Sequence, residues 1–324
     1  MRWVLLNCLG VALALWLGLG AALAQTYPVK PIRLIVPFPP GGTADVVGRL
    51  LAQKLTATLG QQLIVDNRGG AGGTIGVELG ARSPNDGYTL VMGTIGTLVV
   101  APNFYPRLGY DPSRSFAPIS LLISAPYLVV VHPSVNATTL KEFIELARAR
   151  PGEFNFGSNG NGNLLHISGA LFNRLAGVKL VHVPYQGEAP ALIDLLAGRV
   201  QVMFNQTGAF QQHLQAQRLR PLAAASAQRL PQFPALPTTA EAGLPGFEVT
   251  AWFGLLAPRG TPVAVVQRLN REVAVALAST DIHDTLGAQG LDASASSPEK
   301  FAAFIRDETT KWTPVVKASG AKAD

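Results

Sequence analysis

The stretch Ile32-Arg33-Leu34-Ile35-Val36-Pro37-Phe38, followed by Pro39-Pro40-Gly41-Gly42 and then Thr43-Ala44-Asp45-Val46-Val47, decides the architecture of this chain. Residues 32–38 form an apolar run of strand length, and the Pro-Pro-Gly-Gly segment reads as a turn. A helical period opens behind it. Val47, Leu51, Leu55 and Leu59 recur every fourth residue beside Val46 and Leu50, and Gly60 supplies the stop, so the spacing predicts a helix over 44–59. A strand at 63–66, a glycine loop at 69–76 and a strand at 88–93 continue the pattern. This is the alternation of strand, helix and strand that builds a parallel sheet.

Farther along, two apolar strands at 117–123 and 127–132 meet at Ser124-Ala125-Pro126 with no helix between them. That break predicts a crossing between two domains. The alternation then restarts. Thr139-Leu140-Lys141-Glu142 is a capping box that starts a helix carrying Leu140, Phe143 and Ile144 on one face. Strands near 154–157, 180–184, 200–204 and 221–225 are expected to alternate with helices near 164–176, 189–197 and 209–217. After the proline-rich segment 231–245 a long strand is expected over 247–257. Thr261-Pro262 is read as the cap of one helix and Ser297-Pro298 as the start of another. These closing helices are expected to return to the first domain as cover for its sheet. The result is an α/β clamshell, with residues 25–124 and 248–324 as lobe 1 and 125–247 as lobe 2.

Composition narrows the function. The chain has 324 residues, of which 48% are hydrophobic and 14% charged, with 33 glycines and 24 prolines, which excludes a disordered chain and a coiled coil. Arg2, the apolar run 9–23 and the Ala22-Leu23-Ala24 end predict a secretory signal peptide over 1–24, cleaved before Gln25; an uncleaved anchor helix is the alternative. The net charge of +6 is spread without any Lys/Arg run, which argues against nucleic acid as a partner. Cys8 is the single cysteine and sits inside the signal segment, so the mature protein is expected to hold no disulfide, thiolate nucleophile or cysteine-based zinc site. No cofactor and no metal is expected. The five histidines, at 132, 166, 182, 213 and 283, are dispersed in sequence.

Glycine and small polar residues gather where strands give way to helices: 38–45, 69–76, 157–166, 184–190 and 205–208. In an open α/β sheet such loops line the carboxyl edge, and each helix start offers unpaired N–H groups and a partial positive charge. Together they are expected to cradle a carboxylate. The densest run of donors is Gly157-Ser158-Asn159-Gly160-Asn161-Gly162-Asn163, followed by His166. Ser158 and Asn163 are candidate side-chain donors, Gly160 and Gly162 permit close backbone approach, and His166, Asp45 and Tyr185 are further candidates. No G-x-G-x-x-G, P-loop or G-x-S-x-G motif is present. A hydrolase or lyase using Ser158 and His166 is the alternative to a non-enzymatic receptor.

The chain resembles the Bug-type solute-binding proteins of tripartite tricarboxylate transport systems. The resemblance rests on Pro31 to Phe38 with Pro40-Gly41-Gly42 and Asp45; Asp66-Asn67-Arg68 with Gly70-Ala71-Gly72-Gly73; Asp86-Gly87-Tyr88-Thr89-Leu90; Gly157-Ser158 to His166; and His182-Val183-Pro184-Tyr185-Gln186-Gly187 with Asp194-Leu195-Leu196. It implies a two-lobed periplasmic-binding-protein fold of type II-like clamshell form. The implied protein is a monomeric periplasmic receptor that closes on a small dicarboxylate, tricarboxylate or aromatic carboxylate and delivers it to a membrane permease. The resemblance also implies ligand contacts at Phe38, Pro40, Gly41, Gly42, Thr43, Ala71, Gly72, Thr94, Asn205 and the 158–166 loop. The sequence departs from the family at Gly69, commonly proline, and at Asn205, where an acid is frequent.

Overall fold

The computed structural model describes residues 27–105 and 107–318; the expected signal segment, its cleavage site and Cys8 lie outside them. The first unit runs β1 (Ile32–Val36), α1 (Thr43–Leu59), β2 (Leu63–Asn67), a tight turn at Ala71–Gly73, α2 (Thr74–Ala81) and β3 (Thr89–Thr94). A π-helical turn, Gly96–Val100, leads into the short α3 (Ala101–Phe104) and then β4 (Phe116–Val131). The second unit follows as α4 (Leu140–Ala149), β5 (Asn155–Ser158), α5 (Leu164–Ala176), β6 (Val181–Pro184), α6 (Glu188–Leu196), β7 (Val202–Gln206), α7 (Thr207–Gln215) and β8 (Arg220–Ala225). The chain closes with β9 (Thr250–Pro258), α8 (Val263–Leu277), α9 (Thr280–Gly287), β10 (Asp292–Ala293) and α10 (Pro298–Ala318).

The strands order as β2-β1-β3-β9-β4-β7-β5-β6, with β8 and β10 also paired to β4. Parallel pairing holds within β2-β1-β3 and within β7-β5-β6, and the antiparallel β4 and β9 join the two groups. The outcome is a two-lobed α/β clamshell.

Strand β4 corrects the reading of two separate strands at 117–123 and 127–132. It is one strand, passing through Ser124-Ala125-Pro126 while paired to β9 from Phe116↔Pro258 to Pro126↔Thr250. Prolines inside a strand ordinarily argue against it, because they lack the ladder N–H. Here the register against β9 shifts between Pro118 and Ser120 and again between Leu121 and Ile123, irregularities that accommodate the missing donor at Pro118. The glycine loop expected over 69–76 is shorter than read, since α2 begins at Thr74. Thr261 does not cap α8: its hydroxyl donates to the Pro258 carbonyl at 2.7 Å, and the cap position is Pro262. The π turn, α3, α9 and β10 carry no periodic signal long enough to be read from sequence. The Thr139–Glu142 capping box is formed as expected, with both reciprocal bonds.

Helix α10 packs on β4 and β9. Trp252 on β9 and Trp312 on α10 are fully buried, and both indole N–H groups donate to one Glu308 carboxylate oxygen, at 3.0 and 3.2 Å. Phe301 meets Trp252 edge-on at 5.9 Å, directly over Gly254, where a Cβ would collide with the ring. The second group has its own aromatic core: Phe172, Phe204 and Phe247 lie 5.1 to 5.6 Å apart between centroids. Because Phe301 is fully buried against a surface that cannot collapse, Phe301→Ala is expected to cost about 3–5 kcal/mol. Denaturant titration checks this: the midpoint should fall with an unchanged slope, and a loss below about 1 kcal/mol would mean α10 does not depend on this contact.

Candidate functional site

The carboxyl ends of β1, β2 and β3 share one edge, those of β5, β6 and β7 another, and two contacts bring the edges together. Gln206 Nε2, at the end of β7, donates to Thr43 Oγ1, at the start of α1, over 2.8 Å. Gly162, in the loop before α5, packs on Phe104 of α3 so closely that a Cβ would stand 2.6 Å from the ring. With φ at +73° this position also needs glycine's backbone freedom. The candidate loops from both strand groups therefore face one cleft.

On the first side, Pro40, Gly41 and Gly42 are exposed, as are Ala71 and Gly72. Phe38 is half-buried, and its carbonyl accepts from Asn67 Nδ2 at 3.1 Å, which ties the first loop to the end of β2. Ala71 holds φ at +46°, a strained setting for a residue with a side chain and one that clusters at binding sites. Thr94 is buried and exchanges bonds with Thr97: its N–H donates to Thr97 Oγ1 at 3.0 Å, and Thr97 N–H donates to Thr94 Oγ1 at 3.2 Å.

Most side chains expected to touch a ligand also hydrogen-bond within the protein. Asp45 is 4% exposed; Oδ2 accepts from Gly41 N–H and Arg49 Nε, and Oδ1 accepts from Asn67 Nδ2, all within 3.0 Å. The Arg49 hydrogen bond, with those from Gly41 and Asn67, holds its carboxyl below the usual range against the opposing effect of burial. Asp45 is thus a loop anchor and not a free acid. Ser158 is fully buried: Oγ lies 2.7 Å from the Gly160 carbonyl, 2.6 Å from His182 Nε2 and 3.2 Å from Gly160 N–H. One donated and two accepted bonds exhaust a hydroxyl.

The same holds nearby. Asn163 caps α5, its Oδ1 accepting from His166 N–H and its Nδ2 donating to the Gly160 carbonyl. His166 Nδ1 accepts from Gly162 N–H at 3.1 Å, which leaves Nε2 as the donor of a neutral ring. Tyr185 donates its hydroxyl to Asp194 at 2.7 Å, and that burial and bonding push its pKa up to about 12. Asn205, fully inside, bonds through Oδ1 to Gln206 N–H.

The loops still offer backbone donors. Helices α1, α2, α6 and α7 begin at Gly42, Gly73, Gly187 and Gln206 with no side-chain cap, so first-turn N–H groups face the cleft region unclaimed by a capping side chain. Helix α4, on the opposite edge, carries a full capping box. Among the described residues no group of His, Cys, Asp and Glu could hold a metal ion.

His166 and His182 stack at 3.8 Å between centroids with planes 10° apart. Sequence reasoning missed His182 because 15 intervening positions hide the pairing of β5 with β6, which sets Phe156 opposite His182. Ser158 bonds His182 and not His166, and no carboxylate is bonded to either ring; the expected Ser158/His166 hydrolytic pair is not assembled. Gln206, Phe104 and Asn67 were likewise missed, having only contacts distant in sequence to mark them.

A family model described as the tripartite tricarboxylate transporter family receptor matches residues 47–321. The chain belongs to this family. As a family receptor it is similar to Protein BugT of Bordetella pertussis, 38% identical over 320 residues, with 98% of each chain covered. Among solved structures it superposes on Rpa4515 of R. palustris with adipate at a TM-score of 0.83 and 38% identity, covering 91% of this chain and 99% of that one. MatC of Rhodopseudomonas palustris with bound malate gives 0.80 and 35%, covering 90% and 100%.

Two outcomes follow for the family receptor's loop before α5. Ser158→Ala leaves His182 and Gly160 without a buried partner, so it should cost about 1–3 kcal/mol of stability, read by denaturant titration of the unliganded protein. An unchanged midpoint would contradict the geometry. Burial, together with the His166 ring, lowers His182 from 6.5 to about 4, and burial lowers His166 as well. The unfolded chain therefore binds protons that the folded one does not, so stability is full above the unfolded value near 6.5 and falls as pH drops toward 4. Melting temperature measured from pH 7 to 4 should fall less steeply in His182→Phe than in the wild type; parallel curves would refute the assignment.

Proposed function

We propose that the chain is a non-enzymatic, exported receptor that captures a small organic carboxylate in the cleft and delivers it to a membrane permease of the tripartite tricarboxylate type. The observation that carries this reading is the set of uncapped helix starts at Gly42, Gly73, Gly187 and Gln206, while the neighbouring side chains are spent on the backbone of their own loops. Backbone N–H groups and helix dipoles attract an anion without a fixed counter-ion. The adipate and malate named with similar structures support a dicarboxylate, with a tricarboxylate or an aromatic carboxylate as the further classes of this reading. The ligand-contact set comprises Phe38, Pro40, Gly41, Gly42, Thr43, Ala71, Gly72, Gly160 and Gly162; Gly41, Gly160 and Gly162 give their own N–H groups to Asp45, Ser158 and His166, and so line the cleft without donating to the anion. Thr94, Ser158, Asn163, His166 and Asp45 hold those segments in place.

The same reading assigns lobe 1 to 25–124 with 248–324 and lobe 2 to 125–247, hinged on β4 and β9. It makes the protein a periplasmic monomer, released after cleavage before Gln25. A buried Ser158 with a filled hydrogen-bond inventory supports binding over catalysis.

A panel of organic acids and their neutral amides tests the proposal by thermal shift and calorimetry. A bound acid at 100 times its Kd adds about 2.7 kcal/mol, a rise of a few degrees in Tm. The amides should give none, and the acid should be recovered unchanged. Equal shifts from acid and amide, or turnover of the acid, would overturn the proposal.

A further inference from the structure

The phenol of Tyr105 is an unclaimed donor beside the loops of the first strand group. Tyr27, Tyr110 and Tyr185 each donate the hydroxyl to a protein acceptor, at 2.6, 2.6 and 2.7 Å. Tyr105 differs. It is half-buried against the core, its backbone N–H is spent on the Ala101 carbonyl at 2.9 Å, and its Oη makes no hydrogen bond among the described residues.

That oxygen stands over the tight turn that opens α2. A Cβ placed on Gly72 would lie 3.7 Å from Tyr105 Oη and, its chain neighbours aside, within 4 Å of no other heavy atom. The next residue, Gly73, is packed tightly: the same point there lies 3.0 to 3.1 Å from Thr97 Cγ2, the Phe38 ring and the Pro37 carbonyl oxygen. The turn therefore has a filled side and an open side, and the phenol hydroxyl bounds the open one. Because Gly72 turns at φ +65° and carries no side chain, a ligand oxygen has room between its backbone and Tyr105 Oη.

Neighbouring contacts hold the phenol in that place. Asn103 Nδ2 donates to the Val99 carbonyl at 3.0 Å and to Thr313 Oγ1 of α10 at 3.4 Å, which pins α3. Phe104 is buried under Gly162, from the loop before α5, so Tyr105 is one residue from the contact that joins the two sides of the cleft.

We infer that Tyr105 is a ligand-contact residue whose Oη donates to the carboxylate seated over Gly72. The inference rests on the carboxylate-receptor reading and deepens it, by adding a side-chain donor to a cradle otherwise made of main chain. A carboxylate has two oxygens with free lone pairs, so it can take backbone N–H groups and the phenol together. A hydrogen bond to an ionised acceptor is about twice as strong as a neutral one, and a neutral phenol supplies it without a fixed counter-ion in the cleft. Asp45, Ser158, Asn163 and His166 are bonded to their own loops, whereas this hydroxyl is left for the ligand.

Calorimetry with adipate, malate, citrate and benzoate on the wild type and on Tyr105→Phe tests this, since the variant loses the hydroxyl and keeps the ring. The acid that binds the wild type most tightly should bind Tyr105→Phe about ten- to a hundredfold more weakly, the worth of one hydrogen bond to a charged group. The denaturant midpoint of the unliganded protein should not move, because Oη has no protein partner to lose. An affinity within about twofold of the wild type overturns the inference. So does a weaker affinity accompanied by a lower unliganded midpoint, which would make the hydroxyl a support of the fold. If none of the four acids binds the wild type, the carboxylate-receptor reading itself fails and takes this one with it.

Discussion

The antiparallel pairing of β4 with β9 is the constraint on which the rest of the molecule depends. Both strands run between the two parallel groups, so a single ladder from Phe116↔Pro258 to Pro126↔Thr250 fixes how far apart those groups stand and which edges they turn to each other. Parallel strands deliver all their helix starts to one edge, and joining two such groups through an antiparallel pair brings two sets of helix starts to one cleft. The Thr43–Gln206 bond and the seat of Gly162 on Phe104 are products of that arrangement. A site built in this way needs no charged side chain to attract an anion.

A division of labour follows. Polar side chains around the cleft bind the glycine backbone and one another, which fixes the loops, and in the proposed reading the uncapped helix starts are left to meet the ligand. Asp45 shows the principle: its oxygens gather Gly41, Arg49 and Asn67, and Asn67 in turn holds the Phe38 carbonyl, so one buried carboxylate sets the course of the first loop. Ser158 does the same for the second through Gly160 and His182. Such groups position the donors in advance of binding, which lowers the ordering cost when a ligand arrives.

Local signals carried much of this fold into the sequence. The four-residue period of Val47, Leu51, Leu55 and Leu59, the Thr139–Glu142 box and the stop at Gly60 locate helices because each works within a few residues. The continuity of β4 did not show, since Ser124-Ala125-Pro126 speaks locally against a strand and only the partner β9 carries the ladder through it. The loops of the candidate site were legible as glycine-rich junctions. The roles of their side chains were not: whether Ser158, Asp45 or Tyr185 faces a ligand or a neighbour depends on His182, Asn67 and Asp194, which only the folded chain brings near.

The central claim is that main-chain N–H groups at facing helix starts hold the ligand's carboxylate. Backbone amide chemical shifts, followed by transverse-relaxation-optimised ¹⁵N NMR during titration with the acid that gives the largest thermal shift, test it most directly. The account predicts that the largest changes fall on Thr43, Ala44, Gly72, Thr74, Glu188 and Thr207, from both sides of the cleft. Changes confined to one side, or centred away from these amides, would contradict it.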